Sequence, residues 1–156
     1  MGSHEKMWQI ANHYAATGPN PCWKALIAFA KIEEWLWFAA FEDDRDLKKA
    51  YSDRRFSQEF KDEISTLDAE FWSALKAFDG EIPESEKRFA HDYFGGLSFK
   101  LGDKALARPH MEAIGPHISE LPWIYMSAGS KDLMKNWNNL RKQVGLEGFY
   151  ADNNDG

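Results

Sequence analysis

The imidazole and carboxylate groups of His110-Met111-Glu112, His117 and His91-Asp92 are the first candidates for chemistry. Such groups together bind a divalent metal or exchange protons as general acid and base. Their spacing does not suit a helical metal site, which places ligands at i and i+3 or i+4. His110 and His117 each follow a proline at an expected helix start. A protonated imidazole is disfavoured there by the helix dipole, whereas a neutral one can cap or pack. These histidines are therefore read as structural or surface groups, and no metal or cofactor is expected.

Two other reactive groups stand out. Glu33 falls on the apolar face of an expected helix, so it must take up a proton or find a cation, with Arg54, Arg55, Arg88 and Arg141 as possible partners. A buried ion pair is the plainer reading, and a functional buried carboxylate the sharper one. Cys22 is the single cysteine, which excludes an intrachain disulfide and points to a reducing compartment. Its place at a helix start can activate a thiol, but a small buried hydrophobe is the simpler role. No phosphate loop, Gly-x-Ser-x-Gly elbow, His-Glu-x-x-His or Cys-x-x-Cys pair occurs. Enzyme classes that announce themselves by a local motif are thereby excluded, and the balance leans away from an enzyme.

The elements that must position these groups follow from periodicity. Residues 4–17 suit a first helix, stopped by Gly18-Pro19-Asn20-Pro21, with Asn20 capping a second that runs to Phe41. On helix 2, Leu26, Phe29, Leu36 and Ala40 share one face, with Lys24, Lys31, Glu34 and Glu42 opposite. Phe56, Phe60, Ile64, Leu67, Phe71, Leu75 and Phe78 form a heptad-like seam on a long helix. It is read as a core helix packed on helix 2, with a homodimer seam as the alternative. Gly95-Gly96 predicts a break, because each glycine costs about 1 kcal/mol against alanine in a helix interior. The strict alternation of Leu97-Ser98-Phe99-Lys100-Leu101 leaves a small β-hairpin near 97–108 open as an alternative to helix or loop. Pro109, Pro116 and Pro122 predict short turns, and Ser130 is expected to cap a last helix closed by Gly145.

The expected fold is an all-α bundle of five to seven helices, a single domain over residues 1–150, built around helix 2 and the 56–78 helix, with a disordered tail at 151–156. Its 156 residues include seven Trp and eleven Phe, ample for one core. The net charge of −6, from 25 acidic and 19 basic residues, argues against direct nucleic-acid binding, which needs clustered cations. No membrane span or leader is expected, since Lys31, Glu33 and Glu34 interrupt the apolar stretch, and a cytoplasmic location follows.

Trp35 and Phe38 break the pattern of helix 2 by standing inside its charged stripe. Large rings flanked by Lys31, Glu34, Glu42, Asp43 and Asp44 have the make-up of an interaction hot spot with a polar rim. The expected function is a protein-binding module that neutralises a partner with a basic or mixed surface by occlusion. Immunity proteins, antitoxins and phage anti-defence inhibitors are the class it suits by analogy. The alternatives are an enzyme or small-ligand binder with a Trp-lined pocket using Glu33, His91 or His110, and a structural homodimer. A monomer and a homodimer are both compatible with the composition.

Overall fold

The computed structural model describes residues 2–126 and 132–149. Among them are seven α-helices and no strand: α1 (Gly2–Thr17), α2 (Ala25–Ala40), α3 (Arg45–Arg55), α4 (Gln58–Ala77), α5 (Glu84–Lys100), α6 (Lys104–Ile114) and α7 (Leu133–Gln143). The all-α expectation holds. No helix is long and apolar enough to cross a membrane.

Short polar side chains start most of these helices. Asn20 accepts from the Cys22 N–H at 2.9 Å and opens a 3-10 turn, Pro21–Lys24, that leads into α2. Asp44, Ser57, Asp103 and Asp132 accept backbone N–H groups at the starts of α3, α4, α6 and α7, satisfying donors the helix cannot. The cap expected from Ser130 lies outside the described residues, as does the 151–156 tail. Gly145 closes α7 with φ of +84°, a conformation that side chains with a Cβ resist.

The centre of the molecule is α5, not the 56–78 helix that its seam had recommended. Every residue from Ala90 to Ser98 is buried, and α5 packs against both α2 and α6. On one side lies a core of Ala25, Ala28, Ile32, Phe60, Ile64, Phe71 and Phe94. A second core joins Met111, Ile114, Trp123, Trp137, Leu140 and Val144. The seam of α4 is used inside the chain: Phe60, Ile64 and Phe71 are buried, while Phe56 is exposed.

One expectation fails in α5, the break at Gly95-Gly96, while the helix-or-loop reading of 97–108 holds. The helix runs unbroken through Gly95-Gly96, and 97–108 is not a hairpin but the end of α5, a turn and the start of α6. A Cβ at Gly95 would lie 3.0 Å from His110 Cβ, and one at Gly96 2.8 Å from Pro122 Cγ. The glycines therefore serve close approach of α6 and Pro122, and that packing outweighs their poor helix propensity. Pro109 likewise sits inside α6 rather than ending it.

Candidate functional site

On α2, Phe29 and Leu36 are half-buried and pack against the core as expected, while the fully buried positions are the small residues Ala25, Ala28 and Ala30 with Lys31 and Ile32. At 100° per residue, Trp35 falls between Lys31 and Ala28 on the buried side of the helix, and Glu33 falls away from that side, next to Leu26. Glu33 is only half-buried and forms no ion pair with Arg54, Arg55, Arg88 or Arg141 among the described residues. The expectation of a desolvated carboxylate is corrected accordingly.

Lys31 also departs from expectation. It is buried, not a surface group: its ammonium pairs with Glu63 at 2.8 Å and lies over the rings of Trp8 and Phe60, at 5.2 and 4.8 Å from their centroids. Glu34 accepts from the Trp8 indole N–H at 2.7 Å. Both line an open cleft of about 610 Å³ together with Arg54, Glu63 and Glu70, where opposite charges already face one another.

Trp35 and Phe38 belong to a different cleft, between α2 and α3, of about 330 Å³. Phe38 stacks on Tyr51 at 4.3 Å with the rings 9° from parallel, and His4 of α1 lies beyond it. Trp35 carries two cations, the Arg55 guanidinium at 4.8 Å and the Lys100 ammonium at 4.1 Å from its centroid. Lys48, Lys49 and Ser52 complete the wall. Asp53 engages Lys49 at 2.7 Å. Neither Arg55 nor Lys100 has a carboxylate within ion-pair distance among the described residues, and Arg55 Nε is buried without a hydrogen-bond partner. Burial lowers the pKa of both, and the positive charge of Arg55 lowers that of Lys100 further. Burial raises the Tyr51 phenol well above its ordinary value, helped by Glu34, so its hydroxyl remains a neutral donor.

The remaining predicted acids shape the bend before α3. Glu42 accepts from the Asp44 N–H at 3.0 Å, and Asp44 accepts from Asp46 and Leu47 N–H groups at its N-terminus. Asp43 is exposed. The predicted partner-binding residues thus divide between two clefts and one bend.

A third constellation lies in the interior. His91 and His110 converge, with Nδ1 atoms 3.0 Å apart, and His110 Nε2 meets Asp68 Oδ1. Exposure is 0% for His110, 3% for Asp68 and 8% for His91. With the Asp68 carboxylate accepting from His110 Nε2–H, His110 Nδ1 is the acceptor for His91 Nδ1–H. Burial, together with His110 and Lys87, lowers the His91 pKa to about 4, so this ring is neutral at neutral pH. The rings of Phe71, Trp72 and Phe94 pack around the pair. Beside it, burial raises Asp92 to about 6, although the Trp123 indole N–H donates to it at 2.9 Å. Glu112 and His117 are exposed and do not join. Burial also raises the Cys22 thiol to about 11, which makes it a packing group and not a nucleophile.

The sequence reading missed Tyr51, Arg55, Lys100 and Asp68 as site residues. Tyr51 and Arg55, one turn apart on α3, carried a faint signal. Lys100 and Asp68 carried none, since only tertiary contact distinguishes them from solvated charges. No family model, no curated protein and no solved structure matches this chain.

Proposed function

We propose that this chain is a protein-binding module that inhibits its partner by occlusion, using the edge formed by α2 and α3. The observation that carries the reading is the exposure of large apolar side chains along 41–56: Phe41 at 71%, Leu47 at 53% and Phe56 at 51%. The stretch is otherwise strongly polar, and α3 buries no residue of its own. Apolar anchors with a charged rim are the make-up of an interaction surface. The rim mixes Glu42, Asp43 and Asp46 with Lys48 and Lys49, so the partner has a mixed surface. Trp35 and Phe38 form the floor that holds α3 in place. An immunity protein, an antitoxin or a phage-encoded anti-defence inhibitor, acting in the cytoplasm where a lone cysteine stays reduced, would have this form.

The test places charge on the exposed anchors. Phe41→Asp with Leu47→Asp should leave the thermal midpoint unchanged. The same variant should weaken binding to, and inhibition of, the protein captured from the encoding organism by about 30-fold or more. Unaltered affinity, or capture of a protein whose activity the chain does not reduce, refutes the reading.

A further inference from the structure

At the α2–α3 cleft, in a chain of net charge −6, Trp35 carries two cations, Arg55 and Lys100, that no carboxylate pairs among the described residues. Two like charges placed together and drawn partly out of water destabilise a fold unless an anion joins them. The chain has spare acids, yet Asp53 turns to Lys49 and Glu63 to Lys31. The buried, unpartnered Arg55 Nε is a donor awaiting an acceptor. The walls add a second, independent indication. The 330 Å³ space is bounded by Trp35, Phe38, Ala39 and Tyr51, with its polar groups confined to Lys48, Lys49, Ser52 and Arg55. A mostly apolar, aromatic cavity with a few convergent polar groups is the usual form of a small-molecule site, and the volume falls at the lower end of that range.

We infer that the cleft between α2 and α3 binds a small organic oxyanion, a flat apolar body carrying a carboxylate or phosphate group. The head group sits at Arg55 on the cavity wall, which holds it by charge-assisted hydrogen bonds, and the Lys100 ammonium over the adjoining Trp35 ring adds attraction. The body lies against Phe38 and Tyr51, and the neutral Tyr51 hydroxyl is available as a further donor. This site shares Lys48 and Lys49 with the rim of the proposed protein-binding surface but not its anchors, Phe41 and Leu47.

Calorimetric titration of the full chain with phenyl phosphate, benzoate, inorganic phosphate and benzyl alcohol tests the inference. Phenyl phosphate or benzoate should bind one per chain, and which of the two is tighter identifies the head group. Inorganic phosphate, which lacks the body, should bind at least tenfold more weakly than phenyl phosphate. Benzyl alcohol, which lacks the charge, should give no saturable heat. Lys100→Gln and Arg55→Gln should each reduce affinity for the anions by about tenfold or more. Lys100→Gln keeps the Arg55 contact that fastens α3, so it remains informative if the Arg55 variant unfolds. The inference is overturned if neither aromatic anion binds, if benzyl alcohol binds as tightly as they do, or if Lys100→Gln leaves their affinity unchanged. Because Phe41→Asp and Leu47→Asp leave these residues intact, loss of protein binding and loss of anion binding are separable.

Discussion

The Asp68–His110–His91 chain and the Arg55–Lys100 pair both draw titratable side chains away from water, and they do so in opposite ways. In the first, Asp68, His110 and His91 are joined by hydrogen bonds inside the protein, and three helices seal the set. In the second, two cations lie against one indole ring with no carboxylate within ion-pair distance among the described residues. A packed interior is expected to satisfy its polar groups, and the histidine pair obeys. Two buried polar atoms among the described residues depart from the rule, Ser98 Oγ in α5 and Arg55 Nε in the cleft, and the proposed anion site rests on the second, where two cations lack a paired acid. Histidines and carboxylates, the residue types most readily credited with chemistry, here hold the fold together. Lys100, unremarked in the sequence, and Arg55, noticed only as a possible partner for Glu33, carry the unpaired charge.

The largest effect should come from breaking the sealed chain. Asp68→Ala leaves His110 buried without its acceptor and should lower the unfolding free energy by roughly 3 kcal/mol, measured in urea. A loss below about 1 kcal/mol would mean that water reaches His110 and that the contrast between the two regions is smaller than drawn.

The pH dependence of stability sharpens the same comparison. His91 has a folded pKa of about 4 against an ordinary 6.5, so between these values the unfolded chain binds the extra proton and stability falls as pH falls. Asp92 has a folded pKa of about 6 against an ordinary 3.8, so there the folded chain binds the extra proton and stability falls as pH rises. The two contributions oppose each other from about pH 4 to 6. Relative to the parent chain, Asp92→Asn should therefore steepen the loss of stability on acidification, and His91→Gln should reduce it. Parallel profiles for both variants would show that neither group titrates as its burial requires.

The smallest effect belongs to the cleft. Lys100→Gln removes a like-charge repulsion at little packing loss, so the thermal midpoint should stay level or rise, by an amount worth no more than about 1 kcal/mol. A clear fall would reveal a structural role for Lys100 and weaken its assignment to an external anion.

Helices, caps and the all-α class were legible because they rest on local rules. Asn20 caps as its type and the following Pro21 foretold, and the Phe60, Ile64 and Phe71 spacing marked a buried seam. What failed depended on which neighbour lay opposite. On α2 the large residues Phe29 and Leu36 do pack on the core, but the deepest positions include the small Ala25 and Ala28, which no ranking by hydrophobicity singles out. Trp35 shares the side of the helix that carries Ala28, and Glu33 stands away from it at a half-buried position. Asp68 looked like any acid on a solvated stripe until α6 brought His110 to it, and nothing within α4 encodes that meeting.

Gly95 and Gly96 leave the middle of α5 no room to be improved as a helix. Alanine at either position would favour the helical backbone by about 1 kcal/mol, yet its methyl group would meet His110 Cβ at 3.0 Å or Pro122 Cγ at 2.8 Å. The two positions where helix propensity is weakest are thus two where the neighbouring segments come close, and the continuity of α5 is supplied by its neighbours instead of by its own sequence.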